Sequence, residues 1–295
     1  MINWMKYRWL YLLISGTVIL SGIFSVVKWG LPLGVEFKGG TLVEYKLDKD
    51  IGTDKISNVV KQNGVEVVSI QKTQSGSYLL KLGQENPTQR NSVKTGIEKL
   101  GVKVEELRFE TIGPTIGQEL IKKTLYGMLI AAFGILLWVA IQFKSFKFGI
   151  SAVLAMFHDS LVVIGIYSIF GHFFGAEVDL LFVTALLTIL SFSVHDTIIV
   201  FDRIRESKKG FGDDMYHLAN IAVSETMVRS LNNSFVVIFM MVALLLLGGT
   251  TIRWFVATLL IGTISGAYSS PFVAVPILVT WDEMSKKIKS RKSNG

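Results

Sequence analysis

The sequence predicts a membrane α-helical protein with six transmembrane helices and an α+β, ferredoxin-like extracytoplasmic domain between helices one and two. Three observations carry this. Half of the 295 residues are hydrophobic, only 18% are charged, and mean hydropathy is +0.48, a balance rare among soluble chains. The apolar residues gather in runs of about 20, the length that crosses a hydrocarbon core. Between the first two runs lies a charge-balanced segment of about 95 residues, long enough to fold alone.

The runs fall at 9–27, 124–143, 150–170, 180–201, 231–247 and 254–281, the last long enough to tilt. The first follows Lys6 and Arg8. Its apolar length exceeds a signal-peptide core and no clean small-x-small cleavage site follows it, so it reads as a retained anchor. Basic residues set the orientation. With the N-terminus inside, the inner segments carry Lys6 and Arg8, Lys144 and Lys147, Arg203 through Lys209, and the tail cluster Lys286 to Lys292. The outer loop 171–179 has neither Lys nor Arg, and loop 248–253 has only Arg253. A multi-pass protein of the cytoplasmic (inner) membrane with both termini in the cytoplasm is expected. It divides into a first helix (1–29), an outer domain (30–120), a five-helix bundle (121–285) with a cytoplasmic loop (202–228), and a basic tail (286–295). The net charge of +7 sits at the ends of apolar runs, where the partner is the membrane surface and not nucleic acid. The chain has no cysteine, which excludes disulfides, thiolate metal sites and cysteine nucleophiles.

In the outer segment, 41–47 alternates as a strand. Residues 54–62 have helical spacing, with Thr53 as N-cap and Gly64 as stop. Residues 65–72 and 78–82 read as strands around Gln74-Ser75-Gly76, residues 87–100 as a second helix, and 102–110 as a last strand. Strand, helix, strand, strand, helix, strand is the ferredoxin-like split unit, a layout that does not give function. Residues 203–227 are polar and amphipathic. Gly210 and Gly212 break them, and Asp213 or Asp214 can cap a short helix on the inner membrane surface.

Charged groups inside apolar runs are the informative residues, because a central Asp costs about 2.5–3.5 kcal/mol and needs a partner or a water-filled cavity. His158 and Asp159 lie in run three, His195, Asp196 and Thr197 in run four, and Arg229 at the entrance to run five. Asp196 precedes Asp202 by six residues, about 9 Å along a helix, so Arg229 can reach similar depth. Two readings stand. Asp196 and Arg229 pair, and protonation of Asp196 releases Arg229 and changes helix packing; or the pair only fixes register and Arg229 snorkels to headgroups. His158 and Asp159 likewise read either as part of an ion relay or as packing polarity. In run six, Gly262, Gly266, Ser269 and Ser270 form a small-xxx-small stripe that signals close helix packing, and Pro271 and Pro276 bend its inner half.

These residues also carry a family resemblance. Gly34-Val35-Glu36-Phe37-Lys38-Gly39-Gly40-Thr41 resembles the Asp-Phe-x-Gly-Gly signature after the first span of the SecD/SecF family, and the segment from Ile112 through Gly113 and Pro114 resembles the Val-Gly-Pro lead into its second span. The stretch from Val194 through His195-Asp196-Thr197 to Asp202-Arg203-Ile204-Arg205-Glu206 is similar to the Asn-Asp-Thr-x-x-x-x-Asp-Arg-Ile-Arg-Glu motif of the SecF branch. Phe157-His158-Asp159 and 262–270 match its third and sixth spans. The resemblance covers nearly the whole chain. It implies a resistance–nodulation–division unit that pairs with a SecD subunit. That assembly acts beside the SecYEG translocon and uses protons or sodium ions to draw translocating polypeptide outward. Asp196 and Arg229 would be its essential pair, and Glu36, Phe37, Gly39, Gly40, Gly113 and Pro114 its domain-hinge motif. Glu36 replaces the usual Asp and His195 the usual Asn.

No nucleotide loop, metal-ligand motif or nucleophile triad is present, so no enzyme activity and no cofactor are expected. The competing readings are a small-molecule or lipid exporter of the same superfamily, disfavoured by one modest outer domain and six spans, and a non-energised translocon scaffold.

Overall fold

The computed structural model describes residues 2–73, 75–211 and 214–293. Among them are six helices long and apolar enough to span a membrane. α1 (Arg8–Trp29) leads through α2 (Val35–Lys38) into the outer domain, where β1 (Gly40–Leu47), α3 (Thr53–Gln62), β2 (Val67–Lys72), β3 (Tyr78–Leu82), α4 (Pro87–Glu98) and β4 (Val104–Ile112) follow in order. The sheet order is β2-β3-β1-β4 with every neighbour antiparallel, the arrangement of the split βαβ unit. Alternation divides its faces. Val43, Tyr45, Tyr78, Leu80 and Leu82 pack on Ile56, Val59 and Val60 of α3 and on Val93 and Ile97 of α4. Asn86 and Gln89 close a capping box on α4.

Two local expectations are corrected. Thr53 is the first residue of α3 and not its cap. Gly52 holds that position with φ 77°, and its N–H donates to Asp50 Oδ1, so the turn is set by a glycine and an Asx contact. β4 runs on to Ile112, so only Gly113 separates it from α5 (Pro114–Phe143). The helix therefore begins ahead of the apolar run, and the domain boundary drawn at 120 falls inside it. Gln74 lies outside the described residues.

α6 (Phe146–Phe174), α7 (Leu180–Phe211), α8 (Met215–Leu247), α9 (Arg253–Ser269) and α10 (Val275–Ser293) complete the bundle. Asp214 caps α8 through Tyr216 N–H, but no separate surface helix follows. One helix continues from Met215 through the fifth span, because its polar first half is itself packed. Asn220 Oδ1 accepts from Met5 N–H at 2.9 Å and Ser224 Oγ from Trp4 Nε1 at 3.0 Å. Gly212 and Asp213 lie outside the described residues. α10 likewise stays helical through the basic tail. Pro271 falls in a π-helical stretch, Ser270–Ala274, that joins α9 to α10; a proline cannot donate to the helical ladder, and a widened turn is one way to accommodate it.

α6, α7 and the α9–α10 unit form the centre, with 50%, 44% and 61% of their most apolar windows buried, against 17%, 11% and 6% for α1, α5 and α8. Small residues set the closest approaches. A Cβ added to Gly165 of α6 would come 2.4 Å from Gly22 Cα of α1, and one on Gly262 would come 2.3 Å from Ile189 of α7. Without a hydrophobic force between helices in lipid, such contacts supply the packing. Gly165→Val is expected to lower stability by about 1–3 kcal/mol. Gly134→Val, whose Cβ has nothing within 4 Å, should stay within about 0.5 kcal/mol. Denaturation midpoints of the two variants in detergent test this.

Candidate functional site

The most enclosed ionisable group is Asp159, with 0% exposure near the middle of α6. Ser265 and Ser269 lie one helical turn apart on α9 and so share a face. Their hydroxyls donate to Asp159 Oδ1 at 2.5 Å and Oδ2 at 2.6 Å, and His158 Nδ1 is 3.0 Å from Oδ1. Hydroxyls can donate or accept, so this cradle suits the carboxylate in either charge state. Gly266 lies beside this contact; a Cβ there would sit 3.8 Å from Asp159 Oδ2, at ordinary van der Waals distance.

The next serine turns to a different helix. Ser270 Oγ lies 3.0 Å from Thr197 Oγ1, which donates to the Ser193 carbonyl at 2.9 Å on α7. Ser269 and Ser270, expected only as packing residues, thus connect α9 to α6 and to α7.

Asp196 sits apart, half-buried, with Ser230 Oγ of α8 at 3.5 Å from its Oδ2. His195 and Arg229 are exposed. The structure does not bring Arg229 to Asp196: no ion pair joins them among the described residues. Depth along the helix is as expected, but the residue facing Asp196 is Ser230, one position and about 100° further around α8.

A second charged group of residues joins the outer domain to the bundle. The sheet face opposite the helices, with Leu42, Leu79, Lys81 and Arg108, overlies Asp179, Leu180 and Trp254 across a cleft of about 320 Å³. Lys81 Nζ lies 3.3 Å from Glu177 Oε2 and 3.7 Å from Asp179 Oδ2, and Glu36 borders the same cleft with its Oε2 buried. The motif around Glu36 is pinned on two sides. Gly34 N–H donates to the Val178 carbonyl at 2.8 Å and Val178 N–H to Pro32 at 2.7 Å. Phe37 packs against α5, where a Cβ on Gly117 would meet the Phe37 carbonyl at 2.3 Å. Gly39 and Gly40 have φ of 83° and 155°, a conformation only glycine adopts without strain. Gly113 and Pro114 open α5. Lys81, Glu177, Asp179, Ser230 and Ser265 are the residues that sequence reasoning missed. For Ser265 the signal was its i, i+4 spacing from Ser269. For the others no short-range signal exists, since their partners lie 34 to 98 positions away in the chain.

A family model for the C-terminal part of the protein-export membrane proteins SecD/SecF matches residues 92–284, and one for the SecD/SecF GG motif matches residues 24–51. The chain belongs to the SecD/SecF family. Within that family it is 38% identical to a protein translocase subunit SecF from Thermobaculum terrenum, over 96% of this chain and 94% of the relative. A SecF from Anaerolinea thermophila is 35% identical over 96% and 94%. A protein translocase subunit SecDF of Bacillus subtilis is 31% identical over 92% of this chain but 37% of its own length. Among solved structures, SecDF of Thermus thermophilus, titled a translocon-associated membrane protein, superposes with TM-score 0.81 at 28% identity, covering 96% of this chain and 39% of that one. The SecD/SecF chain described here therefore spans about two fifths of that structure. The C-terminal match contains Asp159, Asp196 and Arg229, and the GG-motif match contains Glu36, Phe37, Gly39 and Gly40.

The junction makes a pH prediction. Burial raises the Glu177 carboxyl above the ordinary range; Lys81 opposes this, while Glu36 and Asp179 reinforce it. Burial disfavours the Lys81 ammonium, but Glu36, Glu177 and Asp179 outweigh it and raise its pKa. Both groups hold their protons more tightly when docked, so docking gains stability as pH falls. The Glu177 contribution is fully present below the ordinary carboxylate range and is lost as pH rises through its raised value. Amide protection factors at 34–40 and 176–179, which are corrected for the pH dependence of intrinsic exchange, should therefore rise as pH falls, and Glu177→Gln should flatten that dependence.

Proposed function

We propose that this chain is the SecF subunit of a SecDF accessory of the Sec translocon. It works in the cytoplasmic membrane beside SecD and SecYEG, with both termini in the cytoplasm. It promotes late steps of export by drawing on a proton or sodium gradient to pull or release the translocating polypeptide outside. The observation that carries this reading is the 38% identity to a SecF translocase subunit across 96% of the chain.

The ion-driven part is supported by the carboxylates inside the spans. A fully buried Asp159 with donors that can also accept tolerates gain and loss of a proton. Asp196, half-buried beside α8, is the switch. In this reading Arg229 stays exposed, with Ser230 facing Asp196, while Asp196 carries a proton. Ionised Asp196 draws Arg229 inward by a rotation of α8 of about 100°. His195, exposed beside it, tunes the field at that opening. The motif from Glu36 to Gly40, with Gly113 and Pro114, is the hinge by which the bundle moves the outer domain.

Asp196→Asn is expected to abolish ion-gradient stimulation of export at normal protein levels, and Arg229→Lys to reduce it partially, because the ammonium keeps the charge but not the planar fork. Export measured in membrane vesicles under separate proton and sodium gradients checks both. Unchanged stimulation in Asp196→Asn would leave a scaffold. Failure to co-purify with a SecD-like chain and the translocon would remove the Sec assignment itself.

A further inference from the structure

Two cavities meet at Trp254, where the bundle reaches its outer surface. The first is an apolar groove of about 380 Å³ between the outer ends of α6, α8 and α9, walled by Phe170, Phe174, Leu245, Leu246 and Ala257. Trp254 stands in that wall, its ring centroid 5.6 Å from Phe170 and 6.3 Å from Phe174. Tryptophan at the end of a span sits at the headgroup level of a bilayer. The second cavity is the charged cleft beneath the sheet, and Trp254 lines it as well. One cavity thus offers apolar wall and its neighbour offers charge, the division found within a single lipid molecule.

Charge decides which lipid fits. Arg253 is the one basic residue of the two short outer loops, 171–179 and 248–253. It opens α9, where a cation opposes the helix dipole, so its place is not explained by the helix. It is exposed, lines the groove and makes no ion pair among the described residues. A guanidinium at that level suits a phosphate, which it can hold through two parallel donors. In the cleft the balance is reversed. Glu36, Glu110, Glu177 and Asp179 stand there against Lys81 and Arg108. Both cations already have carboxylate partners: Lys81 has Glu177 and Asp179, and Arg108 has Glu110 at 2.7 Å. The surplus is negative, so a further anion meets like charge and an ammonium meets carboxylate. Such repulsion selects as firmly as attraction does. We propose that the two cavities form one site for a zwitterionic aminophospholipid of the outer leaflet, with an acyl chain in the groove, the phosphate at Arg253 and the ammonium in the cleft. An extended polypeptide can reach the cleft but not the groove, which lies among the lipid-facing ends of α6 and α8. The headgroup fills the space between Leu42 and Leu79 of the sheet and Leu180 of α7, so lipid composition bears on how the outer domain is seated. The proposal rests on the membrane topology of the reading above, with the sheet outside, and not on its ion coupling.

The full chain, reconstituted in vesicles of equal phosphatidylethanolamine and phosphatidylglycerol and released into native mass spectrometry, should retain the first over the second by about five-fold, the scale of one partly exposed charge contact. Arg253→Gln should lower retention of both lipids. Glu110→Lys, at an exposed position in the cleft, shifts the charge balance and should erase the preference. Unfolding midpoints in detergent confirm that both variants fold. Equal retention of the two lipids by the wild-type chain is annular contact only, and overturns the proposal. The second measurement places a p-benzoylphenylalanine at Leu79, in the roof of the cleft, in native membranes holding the full assembly. Irradiation should give an adduct with the mass of phosphatidylethanolamine there, and none at Asn58, exposed on α3. An adduct with a translocating polypeptide at position 79, or no adduct at all, overturns the lipid site. Either failure leaves the Sec assignment standing as long as the chain co-purifies with a SecD-like chain and the translocon, because the lipid is held by this chain alone.

Discussion

The arrangement of the bundle depends on one hydrogen-bonded contact: a carboxylate with no exposure to solvent, held between α6 and α9 by two serines one turn apart. A carboxyl group in hydrocarbon is tolerable only when its oxygens are satisfied. Meeting that condition fixes how α9 must rotate. The same rotation places Gly262 against Ile189 and Gly266 near Asp159, so the small residues along α9 are the steric counterpart of the polar contact. Directly after Ser269 the backbone widens into a π-helical turn at Pro271. Successive serines there serve different neighbours, Asp159 on α6 and Thr197 on α7. Three central helices are thereby tied at one level by side chains that each have a hydroxyl or a carboxylate and almost no bulk.

What the sequence made legible follows from which physical signals are local. Runs of apolar residues mark spans whatever surrounds them, and alternation in 41–47 marks a strand whose partners need not be known. The order of the four strands then followed from the split-unit pattern. The failures have equally definite causes. Hydropathy sees where lipid begins, not where a helix begins. α8 extends 16 residues ahead of its apolar run because Asn220 and Ser224 are satisfied by the N-terminal segment, a contact across more than two hundred positions. Likewise, rise per residue correctly gave Asp196 and the entrance to the fifth apolar run similar depth. Azimuth was not available, and a single position separates Arg229 from Ser230. The stripe in α9 was read as packing alone, since small residues suit close approach whether or not their hydroxyls have a partner.

The outer domain and the membrane bundle share a boundary built from three directions. β3 lowers Lys81 toward the membrane, α2 brings Glu36, and the loop between α6 and α7 brings Glu177 and Asp179. More acid than base is gathered there, and burial strengthens each interaction. The loop is no passive connector. Tyr167 of α6 donates to the Glu177 carbonyl at 2.7 Å, and Asp179 Oδ1 receives the Phe182 N–H at the first turn of α7 at 2.8 Å. Glu177 and Asp179 are thus held by the two helices they join.

Those are the same two helices that carry His158 and Asp159 on one side and Asp196 and Thr197 on the other. In the proposed coupling, a change in charge at mid-membrane that rotates or slides α6 against α7 acts on the loop that holds Lys81, because only Gly175 and Ala176 lie between α6 and Glu177 and Asp179 directly precedes α7. Helices are stiff along their axes, and packed interfaces shift between discrete arrangements instead of deforming continuously. In the proposed coupling, the junction is the point where a small displacement inside the membrane becomes a change in how the outer domain is seated. The steric contact of Gly117 with the Phe37 carbonyl adds a second link from α5 to the same motif. Two connections to one short segment define an axis, whereas one would define only a tether. A domain held in this way can tilt about the segment from Glu36 to Gly40 without leaving the bundle, and that is the freedom the proposed coupling requires.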